Sequence, residues 1–133
     1  MNINNLTIKA QEVLQSAMNL ARSDRNQAVE PLHMLDAIVA EDDSVGVFLL
    51  QKLGVNVGAL RSVLRQQVER LPKVEGGEVY FSRESSEAIQ KAGDFTKTFG
   101  DKYASVEHLL LGILTERSEA SRLLKDAGAT EKE

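Results

Sequence analysis

Two histidines, His33 and His108, are the side chains best suited to proton transfer or metal binding in this 133-residue chain. A metal centre needs a third convergent ligand, and the sequence offers neither an H-x-x-x-H pair nor any cysteine. Serines are plentiful, yet no G-x-S-x-G elbow presents one as a nucleophile. Gly76-Gly77 is followed by Glu78 and not by a lysine-bearing helix start, so a phosphate-cradling G-x-x-x-x-G-K-[ST] loop is missing. Arg61, Arg65 and Arg70 recur at helical spacing and read as a solvated face paired with Glu69. The chain is therefore expected to be non-catalytic, with no cofactor and no metal site. The histidines are expected to pack and to form local hydrogen bonds.

Composition narrows the partners. Twenty acidic against sixteen basic residues give a net charge of −4 and a pI near 5.3. That balance, and the lack of a basic recognition helix, argue against nucleic acid and against a DNA-reading helix-turn-helix. With 42% hydrophobic and 27% charged residues the chain has the means for one globular core. No apolar run approaches a membrane span, and MNINNLTIKA lacks the regions of a signal peptide. A cytoplasmic location and no membrane contact are expected.

The elements that must position any site are helices. Ala10, Val13, Leu14, Ala17 and Ala21 fall three and four apart, with Thr7 placed to cap them. Pro31 suits the first position of a second helix carrying Leu32, Leu35, Ala37, Ile38 and Val39. A third helix, capped from within Glu41–Ser44, carries Val47, Phe48, Leu50 and Leu53 and stops at Gly54. Asn56 caps a fourth, with Leu60, Val63, Leu64, Val68 and Leu71 as its apolar positions, closed by Pro72.

The pattern then recurs. An offset of 75 carries Thr7 onto Ser82, Val13 onto Ala88, Leu14 onto Ile89, His33 onto His108 and Ile38 onto Ile113. After one deleted residue the offset becomes 74, and Leu49–Gly54 fall on Leu123–Gly128. Caps meet caps and terminating glycines meet terminating glycines, which is the signature of an internal repeat. The expected fold is all-α: a tandem pseudo-twofold repeat of a four-helix unit, repeat 1 over about 7–71 and repeat 2 over about 82–133. Between them, residues 72–81 carry Gly76-Gly77 and then Val79-Tyr80-Phe81, which suit a small hairpin or a mobile loop. Thr130-Glu131-Lys132-Glu133 has the form of a capping box, so the last helix is expected to be truncated and the chain to be a fragment of a longer protein.

With P-x-H-M-L-x-A-I in one copy and V-E-H-L-L-L-G-I-L in the other, the chain resembles the Clp N-terminal domain of the Hsp100 chaperones, the ring-forming AAA+ unfoldases. MNINNLTIKAQEVLQ, AVEPLHML, LRQQVERLPKVEGG and DAGAT make it most similar to the disaggregase branch. The resemblance implies a substrate-recognition domain, mounted flexibly on a homohexameric ring, that contacts unfolded or aggregated polypeptide. ATP and magnesium would belong to ring modules absent here, and the fragment itself would be a monomer. It also implies a contact surface. Thr7, and Asp101, Tyr103 and Glu107 within GDKYASVE, match the positions proposed for that surface, with Ile89 and His108 beside them. A histidine at 108, where leucine is common, departs from the pattern. The alternative is the role of ClpA- and ClpC-like relatives, whose N-domains dock folded adaptors for a partner protease.

Each of these residues also has a purely structural explanation. Thr7 suffices as a helix cap, and acidic residues around a helix start capped by Ser105 are favoured by the helix dipole.

Overall fold

The computed structural model describes residues 5–100 and 102–129. Within them the order is α1 (Ile8–Ser23), β1 (Ala28–Val29), α2 (Pro31–Ile38), α3 (Val45–Lys52), α4 (Val57–Glu69), β2 (Tyr80–Phe81), α5 (Arg83–Phe99), α6 (Val106–Thr115) and α7 (Glu119–Asp126). The architecture is all-α apart from these two-residue strands, and no single described helix is long and apolar enough to cross a membrane.

The caps fall where hydroxyl and amide side chains precede apolar periods. Thr7 Oγ1 accepts the Ala10 N–H at 3.1 Å, Ser44 Oγ that of Val47 at 3.2 Å and Asn56 Oδ1 that of Ala59 at 3.1 Å. Ser82 and Ser118 do the same for Ser85 and Ser121. Each satisfies a donor that the first helical turn leaves without a partner. The repeat extends to the helix ends. The Val55 N–H reaches Leu50 O at 3.0 Å beside Gly54, and the Ala129 N–H reaches Leu124 O at 2.9 Å beside Gly128. Both glycines take positive φ, 85° and 104°. The helix expected to open at Thr130 lies outside the described residues.

The core forms around α2 and α6, equivalent helices of the two repeats. Both are buried on most sides, α2 through Leu32, Met34, Leu35 and Ile38, α6 through Leu109, Leu110, Ile113 and Leu114. They pack on each other, and each also meets α1, α5 and α7. Small residues let the helices approach closely: α1 buries Ala10, Ala17 and Ala21, and a Cβ on Gly112 of α6 would overlap the backbone carbonyl of Ala88 in α5.

Residues 72–81 form neither a hairpin with themselves nor an unattached loop. β2 runs parallel to β1, pairing Ala28 with Tyr80 and Val29 with Phe81. A second parallel bridge joins Leu6 to Ala104. The 75-residue offset relates the two bridges, since Leu6 corresponds to Phe81 and Ala104 to Val29. Each repeat thus lends the segment before its first helix to the segment before the other repeat's second helix. Ser82 N–H to Val29 O at 3.0 Å mirrors Thr7 N–H to Ala104 O at 2.8 Å.

Two further expectations change. Glu69 and Arg70 are exposed as expected, but Arg61 and Arg65 do not join them in a solvated face. Arg61 Nε donates to Val39 O at 2.7 Å and its guanidinium meets Asp42 at 2.8 Å. Arg65 meets Asp24 at 2.8 Å and Asp36 at 3.8 Å. These side chains clasp α4 to the ends of α1 and α2, because their long stems reach across the packed face before exposing charge. Phe48 is 49% exposed rather than in the core, since it falls one residue beyond the buried Gly46–Val47 edge of α3. Lys52 Nζ lies 5.1 Å from its ring centre.

His33, fully buried, ties the start of α2 to the loop after α1 and, through Asn26, to the linker. Its Nδ1 accepts the Glu30 N–H at 2.9 Å, so the proton sits on Nε2 and is donated to Asn26 Oδ1 at 2.9 Å. Asn26 Nδ2 in turn donates to Pro72 O at 3.0 Å. The ring is held neutral: burial, against an attraction to Asp24, lowers its pKa from 6.5 to about 4. The unfolded chain therefore binds more protons than the native one between those values, and stability falls as pH drops through that window. The loss is about 3 kcal/mol for a shift of this size. Asp36, raised by burial, works in the opposite sense and offsets part of it. Urea denaturation from pH 7 to pH 4 is expected to show this slope, and His33→Gln to start less stable but lose distinctly less over the same range. Equal slopes would show that His33 does not carry the linkage.

Candidate functional site

The reciprocal bridge near the chain's start brings the beginning of α1 against the beginning of α6. Ala104 donates its N–H to Asn5 O at 2.7 Å and accepts the Thr7 N–H. Gln11 Nε2 donates to Leu6 O at 3.1 Å, closing the turn from the α1 side. Leu6 and Ala104, 5% and 0% exposed, are the buried floor of this junction.

Their sequence neighbours face solvent. Ile8 is 77% exposed and Tyr103 46% exposed. Glu107 is exposed in the first turn of α6, where the helix dipole favours an anion. Lys102 Nζ lies 5.7 Å from the Tyr103 ring centre. Thr7, half-buried, has its hydroxyl committed to the cap and its N–H to Ala104. The structure thus brings Thr7, Tyr103 and Glu107 together on one surface: two apolar side chains, an acid and a base around a main-chain bridge.

Ile89 and His108 are turned the other way. Both are 7% exposed, Ile89 within the hydrophobic core and His108 under the α6 start. His108 Nδ1 accepts the Ser105 N–H at 2.9 Å and lies 2.8 Å from Ser105 Oγ, the same local arrangement as His33 with Glu30. Asp101 lies outside the described residues. No group of three or more His, Cys, Asp or Glu among the described residues could hold a metal ion.

Ile8 is the residue that pattern reading passes over. It falls off the Ala10–Leu14–Ala17–Ala21 face, and an apolar residue off the buried face of a helix was the available signal. The repeat sharpens it. Ile8 corresponds to Arg83, Tyr103 to Ala28 and Glu107 to Leu32, which is 3% exposed. The fold alone does not require an isoleucine, tyrosine and glutamate there, because the other junction does without them.

Two repeated helical units exchanging main-chain bridges define a tandem-repeat helical domain. The sequence matches the family described as the Clp repeat (R) N-terminal domain over residues 5–127, and the chain belongs to that family. Among curated relatives, "Chaperone protein ClpB" of Bacteroides thetaiotaomicron is 50% identical over 133 residues, and that of Porphyromonas gingivalis 50% identical over 131. The matches cover 100% and 98% of this chain but 15% of each relative's length. The fold is that of the Hsp104 N-terminal domain from Candida albicans (TM-score 0.80, 21% identity, 96% of this chain and 85% of that one). It is also that of the ClpV N-domain from Vibrio cholerae (TM-score 0.83, 19% identity, 98% and 81%). The chain is a chaperone N-domain.

If the junction is a surface built for contact, its exposed side chains should matter little to folding. Thr7→Ala is expected to lose about 1 kcal/mol through the cap, whereas Ile8→Ser and Glu107→Ala should stay within about 0.5 kcal/mol of the parent in urea denaturation. A loss of several kcal/mol at Ile8 would identify it as a packing residue.

Proposed function

We propose that this domain recognises substrate for a ClpB-type, ATP-driven protein disaggregase, holding exposed segments of unfolded or aggregated polypeptide at the Thr7–Ala104 junction. The observation that carries the reading is the pair Ile8 and Tyr103, left in solvent on either side of a rigid main-chain bridge. Apolar side chains of an unfolded segment would bury against them, and Glu107, with Asp101 nearby in sequence, would hold amide-rich or cationic parts of that segment. A solved relative in fold, described as a complex of the ClpV N-domain with VipB peptide, supports peptide capture as a use of this architecture.

Such a site binds weakly, micromolar or looser, because few side chains anchor the ligand and the ligand loses chain entropy on ordering. Weakness serves transfer, since polypeptide must be released toward the pore. Six copies on a hexamer raise the effective strength without better contacts. The ATP and magnesium chemistry belongs to other modules of the whole protein.

Fluorescence anisotropy of a labelled, permanently unfolded polypeptide titrated with the domain tests this reading. Saturable binding is expected, weakened at least about fivefold by Ile8→Ser and by Glu107→Ala, with no rise in melting temperature on adding ATP and magnesium. Absence of binding at hundreds of micromolar, with tight binding of one folded protein instead, would replace it with adaptor docking.

A further inference from the structure

The linker between the repeats is itself an extended segment lying on the fold. It crosses the loop after α1, where Val74 donates its N–H to Arg25 O at 2.8 Å. Lys73 Nζ reaches Asp24 O at 2.9 Å, and Asn26 holds Pro72 O. A cavity of about 280 Å³ lies beneath the strap, lined by Arg22, Arg25, Val74 and Val79 among others. Arg25 has an unusual backbone. Its φ of 59° makes it the one non-glycine residue with positive φ among those described, a conformation that L side chains take at a cost. That twist presents its carbonyl to the linker.

The repeat offset carries Arg25 onto Gly100, and the backbone repeats with it. Gly100 has φ of 72°, and its N–H is bonded to Lys97 O as that of Arg25 is to Arg22 O. No described residue donates to the Gly100 carbonyl in the way that Val74 donates to Arg25. A Cβ at Gly100 would have nothing within 4 Å. Tyr103 stands three residues further along the same loop.

We propose that the linker is an internal likeness of the bound ligand: the Gly100 carbonyl accepts a main-chain N–H from an extended segment of unfolded polypeptide, as Arg25 accepts that of Val74. This rests on the substrate-binding reading above and adds how the site takes its ligand. A carbonyl in this position can accept a main-chain N–H, which every residue but proline carries. Recognition is then by backbone, with Tyr103 and Ile8 favouring apolar side chains without naming them. The occupant is an extended, unfolded chain and not a folded adaptor, whose main-chain donors are engaged within its own helices and sheets.

The test uses a short unfolded peptide that binds the domain, measured also against Ile8→Ser and Glu107→Ala. Each of its amides in turn is replaced by an ester, which removes the N–H with little change of shape, and the carbonyl carbon of Gly100 is followed by NMR during the titrations. One ester position is expected to weaken binding about fivefold or more, and the Gly100 carbonyl resonance should shift with the parent peptide but not with that ester. A flat ester scan with an unmoved Gly100 carbonyl, while Ile8→Ser still abolishes binding, would overturn the backbone mode and leave the site standing. A peptide whose binding ignores Ile8→Ser and Glu107→Ala would overturn both.

Discussion

Everything in this fold depends on two main-chain bridges exchanged between the repeats. A four-helix unit of this size buries too little apolar surface to be secure alone, and the two units meet through α2 and α6, their most apolar helices. Helix packing alone leaves the segments entering α1 and α5 unattached. The parallel pairings Leu6–Ala104 and Val29–Phe81 attach them, each to the opposite repeat, and satisfy main-chain groups that would otherwise be buried without partners. The consequence for function is direct. Residues almost a hundred positions apart, Ile8 and Tyr103, stand on one surface because the backbone beneath them is hydrogen-bonded.

Most of the helical frame was legible beforehand. Thr7, Ser44, Asn56 and Ser82 act as caps because a side-chain oxygen before an apolar period has one local use, and Gly54 and Gly128 end helices because they tolerate positive φ. The repeat followed from aligning those signals. The exchange did not, since a two-residue strand has no period to detect and its partner lies some fifty or a hundred residues away. Long-range polar pairing was equally hidden. Arg65 meets Asp24, 41 residues earlier, where spacing along α4 pointed to a local solvated face. Of the expected site residues, Thr7, Tyr103 and Glu107 lie about one main-chain bridge, Ile89 and His108 are buried, and Ile8 was missed because attention falls on the buried face of an amphipathic helix.

The two repeats have diverged in a way that separates support from contact. Repeat 1 carries the buried His33–Asn26 pair, tied to Pro72 of the linker, and the Arg61 and Arg65 clasps, and its junction is roofed by the linker. At the other junction the side chains of Ile8, Lys102, Tyr103 and Glu107 stand exposed. A scaffold held by main-chain bridges with a small, open surface suits weak and repeated capture, since most of the ordering cost falls on the ligand and on a few exposed side chains.

The central claim is that the Thr7–Ala104 junction, and not its repeat-related counterpart, meets unfolded polypeptide. Backbone amide NMR of the labelled domain, titrated with a permanently unfolded polypeptide, tests it most directly. The account predicts shifts concentrated at residues 5–11 and 100–108, with residues 25–33 and 80–86 unmoved. Shifts centred on the linker junction, or on Val45 and Phe48 of α3, would contradict it.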